Sequence, residues 1–233
     1  MNTARRTPER LTDLAIARIK EMIAGGKLQP GQRLAREQDL ARELGLSRNS
    51  LREAVRALTL INVLEARQGD GTYVTSLEPR LLLDGVAFAT HLMRDRQLLE
   101  VWEVRRLLEP AAAAFAAARM SAEQHAGLRA RLEQLRTAAD VDELMRADEE
   151  FHRYICEAAG NSVLASMLET LSSQTLRARA LRKATDDHHR AAVFAEHEPI
   201  YEAIVARDPD LARAAAAVHV ADGELWLRRS LGS

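Results

Sequence analysis

The sequence predicts a mainly α protein: a small helical head closed by a short hairpin, followed by an antiparallel all-α bundle of six or seven helices. Three observations predict it. Residues 34–74 carry two short helical patterns separated by a glycine and followed by two extended pieces around Gln68-Gly69-Asp70-Gly71. Beyond Pro79 the strand signals vanish and seven helical periodicities follow one another. Of the 233 residues, 47% are hydrophobic but only 4% aromatic, a balance that favours helices.

The first ten residues are polar. Leu11 to about Ala24 is an amphipathic helix, with Leu11, Leu14, Ala15, Ile19, Met22 and Ile23 on one face, and Gly25-Gly26 stops it. Pro30-Gly31 is a turn. A short helix over Glu37 to Leu44 is broken by Gly45. The next begins after Ser47, an N-cap type able to accept a bond from the orphan amides of the first turn, and runs to about Leu60. Its Leu51, Ala54, Val55 and Leu58 form one buried stripe; Arg48, Asn49, Arg52 and Arg56 fall together on the other side. Arginine forks onto guanine or phosphate and asparagine onto adenine, so this face suits DNA, although a solvated charged helix has the same pattern. Val63 to Ala66 and Thr72 to Thr75 read as strands joined through Gly69 and Gly71. Helix, turn, helix and Gly-rich hairpin together make a winged helix-turn-helix.

The expected domains are 1–75, a linker over 76–79 ending in Pro79, and 80–233. The bundle helices read as Leu81 to about Met93, Leu98–Arg119, Ala122–Thr137, Val141–Ala159, Val163–Ala184, His188–Ala206 and Pro209 to about Leu231, with Ser121 and Asp140 as caps. Net charge is −1, but residues 1–77 hold 13 Lys+Arg against 9 Asp+Glu and the remainder 20 against 25. A basic head on an acidic body suits a nucleic-acid reader carrying a partner domain. Cys156 is the single cysteine, no run of 18 apolar residues occurs and no signal-peptide pattern opens the chain, so the expected address is cytoplasmic.

In the bundle, Asp148 and His152 stand four apart on one helix face, and His197 and His219 lie on later helices. A bundle can bring three helices around one point, and three imidazoles with a carboxylate suit zinc or nickel. Spacing alone leaves ordinary polar surface or satisfied core groups open for these residues.

Residues 23–74 resemble the GntR family of bacterial transcription regulators. The resemblance is carried by Gly26-x-Leu28-x-Pro30-Gly31-x-x-Leu34, Leu40-Ala41-x-x-Leu44-Gly45-Leu46-Ser47-Arg48, Leu51-Arg52-Glu53-Ala54-Val55 and Gly69-x-Gly71-Thr72-x-Val74. It implies that Arg36, Gln38, Ser47, Arg48, Asn49, Arg52, Gln68 and Gly69 face DNA. Ala35-Arg36-Glu37 departs from the Pro-Ser-Glu of many members, which removes the usual cap of the following helix. Residues 80–230 resemble the effector-binding FCD domain of the FadR-type branch through Glu103-Val104-Arg105-Arg106-x-Leu108-Glu109-Pro110, Asp148-x-x-Phe151-His152, Glu196-His197 and His219. By that resemblance Asp148, His152, His197 and His219 hold a divalent transition metal, with zinc expected and nickel the second choice. Arg105 matches an arginine of the ligand pocket; a salt bridge to Glu109, one turn on, is the competing reading. The implied function is a homodimeric, ligand-responsive regulator on a palindromic operator, expected to repress, with a small organic acid as effector. The other readings are a metalloenzyme with a DNA-docking head and a domain merely stapled by metal. The chain has no His-Glu-x-x-His or other catalytic signature, and no enzyme activity is expected.

Overall fold

The computed structural model describes residues 8–91, 95–180 and 187–231 and divides the chain into two compact units, Met1–Gly85 and Val86–Ser233. The first contains α1 (Pro8–Ala24), α2 (Glu37–Leu44), α3 (Arg48–Leu60), β1 (Leu64–Arg67) and β2 (Gly71–Val74). Its core is Ile19, Leu40, Leu51, Leu58, Leu64 and Val74, drawn from every one of these elements except the turns. Burying a leucine or isoleucine of this kind contributes about 1.5–3 kcal/mol, so one polar substitution on the inward stripe of α3 unseats the whole head. The exit from α2 is Gly45 at φ +66°, a left-handed cap in which L side chains are strained.

β1 and β2 pair antiparallel, from Leu64 opposite Val74 to Arg67 opposite Gly71. The preceding segment flanks the hairpin: Leu34 N–H bonds Thr72 O at 2.8 Å and Val74 N–H bonds Gln32 O at 2.9 Å. The hairpin is thus held on two sides. Both strands lie one residue from their expected bounds, because the turn that closes them spans Gln68–Asp70.

The division between the units falls within α4 (Pro79–His91). The helix starts at Pro79 rather than Leu81: proline has no N–H to lose in a first turn and its φ is already helical. The second unit contains α5 (Asp95–Arg119), α6 (Ala122–Thr137), α7 (Val141–Ala158), α8 (Ser162–Ala180), α9 (Asp187–Val205) and α10 (Pro209–Leu231). The expected continuations to Met93 and Ala184 lie outside the described residues.

Caps set these ends. Ser121 and Gln124 form a capping box, and Asp140 accepts from Glu143 N–H at 2.8 Å. α10 packs along α5 and α9, α7 against α5, α6 and α8. The main core runs through Met120, Leu128, Leu135, Phe151, Ala203 and Ile204. Gly223 lets α10 approach α5: a Cβ there would stand 2.3 Å from Cη2 of Trp102. That close packing brings the inner faces of α5, α7, α9 and α10 around one point. No described helix is long and apolar enough to cross a membrane.

Candidate nucleic-acid interface and candidate metal centre

The face of α3 opposite its buried stripe is polar and open. Ser47 Oγ accepts from Ser50 N–H at 3.0 Å, which caps the helix and leaves Arg48, Asn49 and Arg52 exposed on its first two turns. Arg52 Nε lies 3.4 Å from Oε2 of Glu37, so the first residue of α2 aims the guanidinium. Arg36 is the exposed residue before α2 and makes no side-chain cap bond, as its departure from Pro-Ser-Glu implies. Gln38, Gln68 and Gly69 are exposed, the last at φ +73° on the hairpin tip.

The tip is braced from below. Asp70 takes a hydrogen bond from Tyr73 Oη at 2.6 Å and an ion pair from Arg33 at 3.5 Å. Arg67 lies over the Tyr73 ring, 4.1 Å from its centroid. The bond to Asp70 also pushes the Tyr73 phenol up from its ordinary value. Neither this brace nor the Glu37–Arg52 contact was read from the sequence; the pairs are 3, 37 and 15 residues apart, and only the first has a local signature.

In the second unit three of the four expected metal-binding residues, His152, His197 and His219, converge, and the fourth, Asp148, stands beside His197 and His152. His152 Nε2 stands 3.1 Å from Nε2 of both His197 and His219. Asp148 Oδ1 lies 3.1 Å from His197 Nε2 and 3.9 Å from His152 Nε2. Asp148, His197 and His219 are buried, and His152 is nearly so. Donor atoms around a tetrahedral zinc at 2.0–2.1 Å sit about 3.3 Å apart, close to this spacing. Tautomers support the fit. His197 Nδ1 is 2.7 Å from the carbonyl oxygen of Val193, which can only accept, so Nδ1 carries the proton and Nε2 presents a bare lone pair to the cluster. The residues present fit a divalent metal.

Arg105 is buried, its Nε 2.5 Å from Glu109 Oε1 and its guanidinium 4.2 Å from the centroid of the Trp102 ring. The salt bridge is therefore formed. Glu109 Oε2 is 4.0 Å from His152 Nδ1, so the pair stands behind the His152 imidazole. Glu149, next in sequence to Asp148, faces a different side, towards Cys156 and Glu169; burial pushes its carboxyl up, with Glu150, Asp148 and Glu169 adding to the effect. Burial also pushes the Cys156 thiol well above its ordinary range, so it offers no thiolate to a metal.

A cavity of about 50 Å³ opens on the Asp148, His197 and His219 side of the cluster. One water needs roughly 10–15 Å³ on the same measure, so the space takes a small molecule. The cavity also meets Trp102, Leu144, Met145 and Trp226. None of these four was singled out from sequence, where an apolar residue on a helix reads as core.

Residues 11–74 match the family described as bacterial regulatory proteins, gntR family, and residues 100–222 match the FCD domain. The chain is 31% identical over 208 residues to the HTH-type transcriptional regulator LutR of Bacillus subtilis, covering 87% of this chain and 94% of that protein. It is 29% identical over 224 residues to the galactonate operon transcriptional repressor of Escherichia coli (93% and 96% covered). It is 28% identical over 214 residues to the Glc operon transcriptional activator of that species (87% and 83%). Among solved structures, Streptococcus agalactiae GntR superposes with a TM-score of 0.71 at 26% identity, covering 92% of this chain and 99% of that one.

Proposed function

As the chain belongs to the GntR family of DNA-binding transcriptional regulators and carries an FCD domain, we propose that it is a metabolite-responsive repressor whose operator binding is set by a small carboxylate at a metal centre in the second unit. The convergence of His152, His197 and His219, with Asp148 beside His197, supports this reading. These four residues would hold zinc, with nickel the second choice. Bound there, the metal supplies a Lewis-acidic anchor for a carboxylate. Glu109, itself fixed by Arg105, places its carboxylate 4.0 Å behind His152 Nδ1, so Arg105 acts on the effector site through the charge of its neighbour.

The head reads DNA as a homodimer in the cytoplasm, with α3 of each copy in successive major grooves of a palindrome. Arg48, Asn49 and Arg52 meet base edges; Arg36, Gln38, Ser47, Gln68 and Gly69 meet backbone or flanking bases. The domains are taken as 1–75 and 80–233, joined at 76–79. Occupancy of an operator blocks transcription without any contact to polymerase, which makes repression the simpler mode; the Glc operon activator among the relatives keeps activation as the second reading. Ligand changes operator affinity only by its differential affinity for two arrangements of the protein.

The test is capture of random genomic fragments by the purified, metal-loaded protein at near-physiological salt, followed by sequencing. Fixed salt matters because phosphate contacts alone bind any sequence. A shared palindrome is expected. No enriched sequence from folded protein would remove the operator-reading role.

A further inference from the structure

The arginines of the head engage carboxylates in two ways. Among the described residues, Arg18, Arg33, Arg42, Arg56 and Arg67 each meet an acid through a terminal guanidinium nitrogen. Arg52 differs. It donates to Glu37 Oε2 through Nε, at 3.4 Å, and its two terminal nitrogens have no partner among the described residues. Glu37 makes this contact from another helix, 15 residues away. Both side chains are about half exposed, so the pair adds little to the fold. Its consequence lies in what the arginine is left to bind.

A bond at Nε restrains the guanidinium and leaves its far edge, Nη1 and Nη2, open. That edge matches two acceptors side by side: O6 and N7 of guanine, or two oxygens of a phosphate. Glu37 separates the two. A phosphate carries a full charge, so a carboxylate a few ångströms behind the guanidinium opposes its approach. Guanine offers neutral acceptors and is opposed far less. Restraint adds to this, because an unheld arginine has many rotamers and the reach to leave a base for a nearby phosphate. Adenine presents a donor where guanine presents O6. A held fork rejects it, whereas a free one swings aside and tolerates it. Arg36, exposed and without an ion pair among the described residues, keeps its full charge for the backbone.

We propose that Glu37 is a specificity-determining residue acting through Arg52: it holds the guanidinium as an end-on fork for guanine and screens it from phosphate, exchanging general DNA affinity for discrimination at the base pair that Arg52 faces. The assignment rests on the reading of α3 in the major groove and names what sets its selectivity.

Full-length wild type selects from a duplex library with a randomised core at one fixed salt concentration. Fluorescence anisotropy then follows binding of wild type, Glu37→Gln, Glu37→Ala, Arg52→Ala and the double alanine variant. The probes are the selected duplex, its single-base-pair variants and a scrambled duplex, each across a salt range. Glutamine removes the charge and keeps an acceptor; alanine removes both. Glu37→Gln and Glu37→Ala are expected to bind the scrambled duplex more tightly than wild type, with a salt slope steeper by about one. Glu37→Ala is expected to lose about tenfold in discrimination between guanine and adenine at one position, the position lost in Arg52→Ala, with its melting temperature unmoved. Unchanged discrimination overturns the restraint, and an unchanged slope in both variants overturns the screening. A lost discrimination that comes with a lowered melting temperature makes Glu37 structural and overturns the assignment. Further loss in the double variant beyond Arg52→Ala overturns action through Arg52. A wild type that selects no sequence, or an Arg52→Ala that keeps full discrimination, removes the groove reading itself.

Discussion

Replacing His197 by alanine tests the metal centre most directly. Its imidazole is buried, gives a proton to Val193 O at 2.7 Å and places Nε2 3.1 Å from both Asp148 Oδ1 and His152 Nε2. Two losses follow. The hydrogen bond and the void together cost about 2–4 kcal/mol, within the roughly 5–15 kcal/mol that holds a domain folded. The second loss is linkage. A ligand at 100 times its Kd stabilises the native state by about 2.7 kcal/mol, and at about 2–4 °C per kcal/mol for a domain of this size that is roughly 5–11 °C in Tm. Excess chelator should therefore lower the melting temperature of the wild-type bundle by that amount and leave His197→Ala where it was. His197→Gln, which keeps most of the volume and an amide for the Val193 carbonyl, separates the two losses: it should recover stability but not the chelator shift. Thermal scans with and without chelator, beside metal content by mass spectrometry, are the assay. A variant that keeps the full chelator-dependent shift and a stoichiometric ion would refute the assignment of His197 as a ligand.

If Arg52 meets a base in each half-site of a dimer, as proposed, Arg52→Ala should cost about 1–3 kcal/mol per contact and sink specific binding into the non-specific background, while the bundle melts unchanged. Fluorescence anisotropy on the captured palindrome reads this, and unaltered affinity removes α3 from the interface. Gly223→Ala drives a Cβ to 2.3 Å from the buried Trp102 ring and should destabilise the bundle by about 1–3 kcal/mol despite alanine's better helix propensity. Gly85→Ala, in α4 with open space around it, should gain up to about 1 kcal/mol; denaturant titrations of both variants distinguish a packing glycine from an idle one. Burial, with Arg207 adding, holds the His125 imidazole below its ordinary value. The folded chain then binds fewer protons at this site than the unfolded one, so the stability it contributes is present above the unfolded pKa of about 6.5 and is lost as pH falls through the folded value. In chelator, wild type should lose stability more steeply below about pH 6.5 than His125→Gln, and parallel curves would dismiss the effect.

The head was legible because its signals are local. Ser47 caps α3, Gly45 ends α2 in a left-handed turn, and of the expected stripe Leu51, Ala54 and Leu58 are buried, while Val55 at its edge is half-buried against the same core. Caps at Ser121 and Asp140 fixed α6 and α7 for the same reason. Where boundaries moved, the competing effect was equally local: Pro79 opens α4 instead of preceding it. The contacts that brace the head were not legible, because Glu37 meets Arg52 and Arg33 meets Asp70 only once the chain has folded back.

The candidate metal centre and the cavity beside it divide along the same line. Asp148 and His152 share a face by spacing, but His197 and His219 lie 45 and 67 residues from His152. Periodicity could suggest those two and only the family motifs could select them from seven histidines. For Arg105, helical spacing found Glu109, and the pair is formed. What spacing could not show is the other side of the guanidinium: Trp102 stands three residues away on the same helix, stacks on it, and turns its remaining surface to the cavity. That arrangement needs Gly223, 121 residues on from Trp102, to have no side chain. A glycine inside a helix usually costs about 1 kcal/mol, and its presence there reads as a defect until the ring it admits is seen. Donor chemistry can thus be read one residue at a time, whereas the selectivity of the space beside it is a property of helix packing.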